Sequence, residues 1–306
     1  MRWRLHLSTQ PVAAVQLIPS DKPLVAVWDS RHTVHYYTQA DATPSGEQPF
    51  DQAPLPDDLA ADFWQEFAAS LQAPNGQYLP TVFMSGLSIY QSRDGRLRLY
   101  HFHDGDLVLE VEGRHITLDR DGDGRFLAVG LDRSLGLCAA ISERGGLHIF
   151  QQHIRITRVA LDLTLGMEAR LSLAMPDGLG WLLISDGRRV MIVDSAGRIL
   201  HQFEAHFAVG TLAVSPNGQY IALGDVDDNL VRVYDNTLRP THQKHAIDLI
   251  ASARQVQLIA SLPGRKIGIS AVDISDKGVI GFALGGVVCV VDLKALDVLP
   301  QPRPLL

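Results

Sequence analysis

The feature that most constrains this chain is an internal repeat. Its clearest copy, residues 211–236, contains the apolar runs LAV, YIAL and LVRVY, separated by two turns. The first turn, SPNG at 215–218, suits a tight reversal because proline fixes φ and Asn-Gly tolerates positive φ. This pattern predicts three consecutive antiparallel strands.

Further copies run along most of the chain. One at the N-terminus aligns without a gap and places Pro19 on Pro216 and Tyr37 on Tyr234, so that Trp28 falls on Asp225 in the second turn. The run SIYQSRDGRLRLYHF is interpreted as the second and third strands of another copy. The third strands of the copies then end near positions 37, 100, 150, 193, 234 and 291.

A repeat of roughly 40 residues with four strands is typical of a propeller blade. The chain resembles a WD40-type β-propeller with degenerate repeats, in which Tyr234-Asp235 stands where the name-giving Trp-Asp pair ends the third strand. On this reading Trp28-Asp29 is a coincidence. The resemblance implies an all-β fold, a single β-propeller domain over residues 1–306. We expect six four-stranded blades, or seven if ITLD at 116–119 belongs to one more.

Ring closure and two insertions complete the predicted architecture. The run Trp3 to Leu7 alternates apolar and polar residues as an edge strand does, and we expect it to form the outer strand of the last blade. Long gaps between copies predict insertions at about 41–66 and 237–254. Short helical patterns lie in both: Leu59, Phe63 and Phe67 are spaced by four, as are Ala246 and Ile250.

Charge and cysteine content narrow the functional classes. The 27 basic and 34 acidic residues leave a net charge of −7, which disfavours a nucleic-acid role based on overall charge. Cys138 and Cys289 sit in apolar runs and are interpreted as buried free thiols. No signal peptide and no membrane span is evident in the sequence, so we expect a cytoplasmic protein without a membrane partner.

The sharpest local motif is DRDGDG. Asp119, Asp121 and Asp123 have the alternate spacing that points carboxylates at one hard cation, which makes them candidate calcium ligands. Calcium loops of this kind carry further acids where this chain has Leu127 and Gly130. An acidic turn between blades is the competing interpretation. No other cofactor is predicted.

Three functions remain open from the sequence. The resemblance implies a non-catalytic interaction platform for other proteins or peptides, with Phe63 and Trp64 in the first insertion as candidate partner anchors. The alternative is a hydrolase or lactonase-like enzyme with metal-binding side chains in the central channel. The third is a nucleic-acid-associated propeller that uses Arg93, Arg96 and Arg98. No nucleophile elbow, HExxH, Walker loop or dinucleotide fingerprint is present.

Overall fold

The computed structural model describes residues 2–6, 12–19, 24–29, 34–38, 44–48, 79–84, 86–165, 170–249 and 268–300. Their strands form six antiparallel sheets, each of which is one blade of a propeller. Six apolar clusters fill the spaces between successive blades around the ring. The predicted all-β propeller and its six blades are therefore confirmed.

The blades are numbered in chain order, and their strands are given from the inner edge outwards. The first three are blade 1, with β2 (Val12–Ile18), β3 (Leu24–Asp29), β4 (Val34–Thr38) and β5 (Pro44–Gln48); blade 2, with β6 (Thr81–Met84), β7 (Leu87–Gln91), β8 (Leu97–Phe102), β9 (Leu107–Val111) and β10 (Arg114–Thr117); and blade 3, with β11 (Phe126–Asp132), β12 (Leu137–Ser142), β13 (Gly146–Gln151) and β14 (Ile154–Ala160).

The other three are blade 4, with β15 (Ser172–Ala174), β16 (Trp181–Ser185), β17 (Arg189–Asp194) and β18 (Ile199–Glu204); blade 5, with β19 (Val209–Val214), β20 (Tyr220–Asp225), β21 (Leu230–Asp235), β22 (Pro240–His245) and β26 (Asp297–Val298); and blade 6, with β23 (Ile269–Ile274), β24 (Val279–Leu284), β25 (Val287–Asp292) and β1 (Arg2–His6). A short helix, Ala246–Leu249, follows β22, and a 3-10 turn, Leu293–Ala295, follows β25.

The burial pattern follows from packing on both faces of each blade. The second strand β12 is buried at all six positions, whereas the outer strand β14 alternates between exposed and half-buried side chains. Continuous apolar runs therefore belong to middle strands, and alternating runs belong to outer ones. The inner strands of blades 1, 3, 5 and 6 share a register shift near their first residue, which is a repeated bulge.

Ring closure occurs as the N-terminal pattern predicts. Strand β1 pairs antiparallel with β25, from Arg2 opposite Val291 to His6 opposite Val287. The last blade thus takes its outer strand from the other end of the chain, which links the two ends of the repeat array. At the C-terminal end, β26 adds a fifth strand to the outer edge of blade 5.

The strand assignment within blade 2 corrects the sequence prediction. In the turn after β7, the Leu97 amide donates to Ser92 Oγ at 3.0 Å, as the Tyr220 amide does to Ser215 Oγ in blade 5. That turn joins the inner and second strands of blade 5, so β7 and β8 are the first two repeat strands and not the second and third. Strand β10 is the fourth. The run ITLD therefore completes blade 2 rather than starting a seventh blade.

Strand β6 is an addition to the repeat. It pairs with the edge of β7 that faces away from β8, where the other blades have no further strand among the described residues. Val82 of β6 joins the apolar cluster that contains Trp28 and Tyr36, so β6 packs at the junction of blades 1 and 2. This extra strand accounts for part of the long sequence gap between the first two copies of the repeat.

The pair Trp28-Asp29 ends the second strand of blade 1, not the third, so it is not the family signature. The gapless alignment of the N-terminal copy with residues 211–236 was nevertheless wrong by one residue at this point. Asp29 lies opposite Val12 as Asp225 lies opposite Val209, so Asp29, and not Trp28, is the counterpart of Asp225. The first turn of blade 1 is one residue longer and the second one shorter, so a gapless alignment conceals the shift. Trp28 is fully buried.

The two predicted insertions start too early. Residues 44–48 form the outer strand of blade 1, and residues 240–245 form that of blade 5. Both segments were interpreted as excursions because their polar sequences lack an apolar run, which an outer strand does not need. The helical pattern after residue 245 is confirmed at Ala246–Leu249. Leu59, Phe63 and Phe67 lie outside the described residues.

Candidate functional site

In each blade a turn joins the inner strand to the second strand, and these turns lie on the same side of the ring. We call this side the inner-turn face. Among the described residues it comprises 92–96, 133–136, 175–180, 215–219 and 275–278. Hydrogen bonds join these turns from blade to blade. The Arg93 amide donates to the Arg133 carbonyl at 3.1 Å, and the Asp177 amide donates to the Pro216 carbonyl at 2.8 Å. The Asn217 amide donates to an Asp276 carboxylate oxygen at 2.7 Å. These bonds link the inner turns of blades 2 and 3, of blades 4 and 5, and of blades 5 and 6.

Two arginines on this face share one carboxylate. Asp177 Oδ2 accepts from Arg93 Nη2 and from Arg133 Nη2, both at 2.7 Å. The Nε atoms of both arginines also lie 3.0 Å from Asp177 oxygens. The Asp177 side chain is only 2% exposed, whereas that of Arg93 is 59% exposed. A buried carboxylate thus orients two guanidinium groups at the surface of blades 2, 3 and 4.

A groove of about 460 Å³ opens beside these arginines, between blades 2 and 3. Arg93, Arg96 and Arg133 line one part of it, and the apolar side chains of Leu97, Val111 and Leu135 line another. Leu135 is 50% exposed. The groove therefore combines charged hydrogen-bond donors with an aliphatic wall.

Two exposed isoleucines lie on the outer strand of blade 3. Ile154 is 60% exposed and Ile156 is 47% exposed. The pairing of β13 with β14 skips Ile156, which is a bulge. The bulge puts Arg155 and Arg158 on one face of β14, where both contact Asp121, and Ile154 on the other. We call the groove lining, Leu97, Val111 and Leu135 with Arg93, Arg96 and Arg133, the blade 2–3 surface.

The three candidate calcium ligands lie on the opposite side of the ring, where one blade leads to the next. Asp121 Oδ2 accepts from Arg155 Nη2 at 3.0 Å and from Arg158 Nη1 at 2.8 Å. Asp123 accepts from Arg158 at 2.6 and 3.1 Å. Asp119 accepts from the Asp121 amide at 2.8 Å. The cations that Asp121 and Asp123 contact are guanidinium groups, and calcium binding at this segment remains a prediction.

A buried histidine completes this acidic segment. His148 Nε2 lies 2.9 Å from Asp123 Oδ2, and its ring is fully buried between Phe126 and Phe150. Hydrogen bonds from Arg158 and His148 hold the pKa of Asp123 below its usual value. Desolvation lowers the pKa of His148. Its Nδ1 has no hydrogen-bond partner within the described residues, which agrees with a neutral ring that donates from Nε2.

The structure separates other predicted site residues. Arg98 does not join Arg93 and Arg96, because it contacts the buried carboxylate of Glu110 at 3.4 Å. His101 Nε2 lies 3.0 Å from the Phe126 carbonyl. Phe63 and Trp64 lie outside the described residues. Within the described part of the chain, no group of three or more His, Cys, Asp or Glu side chains could hold a metal ion.

No helix among the described residues is long and apolar enough to cross a membrane. Cys138 and Cys289 are both buried, as their apolar surroundings predict. Burial raises the pKa of the Cys138 thiol far above its usual value, so this thiol is not poised as a nucleophile.

Sequence reasoning did not find the Arg93–Asp177–Arg133 cluster, although a signal exists. Once the strands are placed correctly, the registers put Arg93, Arg133 and Asp177 at the same turn position of blades 2, 3 and 4. Neighbouring copies of one turn position lie side by side on a ring. Two arginines and one aspartate at that position therefore predict an ion-pair cluster.

Comparison with known proteins supports this architecture. Residues 197–235 match the family described as WD domain, G-beta repeat, a stretch that runs from the outer strand of blade 4 to the end of the third strand of blade 5. It ends at Asp235, in the Tyr234-Asp235 pair identified above. No curated protein matches the chain by sequence.

Three solved structures show the same fold at low sequence identity. The WD40 β-propeller domain of Doa1 is 15% identical with a TM-score of 0.59, and the alignment covers 94% of this chain and 95% of that one. Raptor of Chaetomium thermophilum is 12% identical with a TM-score of 0.57, over 96% of this chain but only 24% of Raptor. U3-55K is 12% identical with a TM-score of 0.55, over 98% and 84%. The chain thus has the β-propeller fold of these structures, and its residues 197–235 match a WD40 repeat.

Proposed function

We propose that this propeller is a non-catalytic platform that binds other proteins or peptides in the cytoplasm. The WD40 fold generally serves protein interaction, and a rigid ring with a hydrogen-bonded turn face suits that role.

The observation that carries the proposal is the uneven distribution of exposed apolar side chains. Among the residues whose side chains are described, which exclude the outer strands of blades 1 and 6, eight large hydrophobic side chains are exposed, and seven of them belong to blades 3 and 4. These seven are Leu127, Leu135, Ile154, Ile156, Leu179, Ile199 and Leu200. Exposed apolar groups scattered singly need no explanation, but a concentration on two adjacent blades marks an interaction surface.

The first insertion is a second candidate contact. Phe63 and Trp64 stay predicted anchors on residues 49–66, beyond the outer strand of blade 1. Replacing residues 50–60 by a Gly-Ser linker keeps that strand, which replacement from residue 42 would delete. We expect the shortened protein to melt near the parent temperature and to lose one partner. Aggregation or a far lower melting temperature would show that the segment is structural.

Site-specific photo-crosslinking in the native host tests the proposal. A photo-reactive amino acid replaces Leu179 or Ile199 in blade 4, and replaces Val298 on blade 5 as the matched control, since Val298 is also an exposed aliphatic residue. We expect the same protein partner to be crosslinked from both blade 4 positions and not from 298. Absence of any adduct from Leu179 and Ile199, at normal expression, would reject the platform function for blade 4.

A further inference from the structure

We propose that the blade 2–3 surface binds a segment of a partner protein in which an acidic side chain stands next to an aliphatic one. This inference rests on the proposed platform function and specifies its site and the chemistry of its partner. Two independent observations support it: the state of the arginines and the exposed aliphatic wall beside them.

The arginines are positioned but not saturated. Asp177 engages Nε and one Nη of both Arg93 and Arg133, so each guanidinium keeps further N–H donors for another acceptor. Arg96 is freer still, because its side chain is 80% exposed and its nearest carboxylate, that of Asp94, lies 4.0 Å away. A carboxylate from a partner would complete these donor sets with charge-assisted hydrogen bonds.

Two of the acids near the groove, Asp94 and Asp177, are already engaged. Asp94 accepts from Ser92 Oγ at 2.6 Å and from the Arg96 amide at 3.1 Å, so its carboxylate is engaged within its own turn. Asp177 is buried. The lining residues carry three arginines against Asp94 and Glu112, a sum of +1 in a chain whose net charge is −7, and counting Asp177 brings the local sum to zero. Recognition here therefore depends on directed donors and not on a broad positive field.

The aliphatic wall selects the rest of the ligand. Leu135, which is 50% exposed, borders the groove beside Leu97 and Val111. A partner segment with an aliphatic residue next to its acidic residue buries this wall while its carboxylate binds the arginines.

Selection of random peptides tests the proposal on the whole protein. A phage-displayed library of 12-residue peptides is selected on the wild type, and the enriched peptides are synthesised with a fluorescent label for anisotropy. We expect Asp or Glu beside Leu, Ile or Val in the enriched set. We expect Arg96→Glu to weaken binding about fivefold and Leu135→Asp about tenfold, with stronger binding at low salt.

Two controls make the result specific. Arg198→Gln changes an exposed arginine of blade 4 and leaves the affinity unchanged. A peptide in which Lys replaces the acidic residue regains affinity for Arg96→Glu, because the charges of the contact are exchanged. Melting temperatures within about 2 °C of the wild type establish that each variant is folded.

Peptides that lack acidic residues, or that bind wild type and both groove variants equally, would overturn the proposal. So would a library that yields no enriched peptide. The platform function is tested apart from this, since crosslinking from Leu179 and Ile199 in blade 4 requires no peptide in the groove. A partner crosslinked there, together with groove variants that bind normally, would reject the blade 2–3 site and leave the platform function standing.

Discussion

Blades 3 and 5 are built on the same four-strand repeat, but their outer strands differ in polarity and in whether another strand pairs with their edge. The outer strand of blade 5, PTHQKH, is polar, and β26 pairs with part of its edge. The outer strand of blade 3, IRITRVA, exposes two isoleucines and has no further strand beside it among the described residues.

The arginines of blade 3 add to this contrast. On blade 3, Arg155 and Arg158 reach the acidic segment that enters the blade and leave Ile154 and Ile156 as the outward groups. Proteins usually protect an outer edge with charge or with a covering strand, as blade 5 does. Because the same repeat closes without exposed isoleucines in blade 5, the fold does not require them in blade 3, and we attribute them to function.

The largest effect is expected at ring closure, on which both blades depend. Deleting residues 1–8 removes the strand that pairs with β25, and blade 6 then lacks its outer strand. We expect the melting temperature to fall by about 10 °C or more. Thermal unfolding of the truncated protein measures this, and a midpoint equal to that of the full chain would refute the closing role of β1.

The next largest effect is expected on the unfolding free energy, where the buried contact of Asp123 in blade 3 is compared with an exposed ion pair in blade 5. Asp123→Ala leaves the buried His148 ring without its partner, and we expect the unfolding free energy to fall by about 2 kcal/mol. Asp297→Ala removes the exposed pair of Lys244 with Asp297 on blade 5, and we expect less than about 0.5 kcal/mol. Urea unfolding of both variants measures the two changes. Equal losses would show that blade 3 does not depend on its acidic segment.

A smaller effect concerns pH. The folded-state pKa of His148 lies below its unfolded value of 6.5, so below about pH 6.5 the unfolded chain binds a proton that the folded chain resists. Stability is therefore present above that pH and declines as the pH falls through the folded pKa. We expect His148→Gln to flatten the decline between about pH 7.5 and 5.5 in urea titrations. A parallel decline in both proteins would contradict this assignment.

The smallest effect is expected from chelation. Asp121 and Asp123 are already paired with arginines, so removing calcium with EGTA should change the melting temperature by less than about 1 °C. A fall of several degrees that Asp121→Ala abolishes would show instead that the acidic segment holds a stabilising calcium ion.

The sequence sufficed for the fold wherever each blade follows the repeat closely. The turn chemistry of residues 215–218 and the apolar runs around it predicted blade 5, and the alternation in residues 3–7 predicted ring closure. These signals are local, because a tight turn and the alternation of a strand are encoded within a few residues.

Blade 2 shows why the rest was not predictable. Its second and third repeat strands, LRLYHF and LVLEV, are both apolar, and the turn SRDG resembles either kind of turn, so sequence alone did not fix which strand was the first. Only the hydrogen bonds of Ser92 decide it. The Asp177 cluster was missed for the same reason, because its members align only once the strands of blade 2 are placed.

The most direct test of the central claim compares partner recovery with stability in one variant of blade 3. Ile154→Thr combined with Ile156→Thr keeps β-branched side chains in β14 and removes most of the exposed aliphatic surface there. We expect affinity purification from the native host to recover at least one reproducible wild-type partner about tenfold less, at an unchanged melting temperature, which corresponds to a loss of about 1.4 kcal/mol in binding. An unchanged set of partners at equal recovery would contradict the claim that blade 3 exposes its isoleucines for interaction.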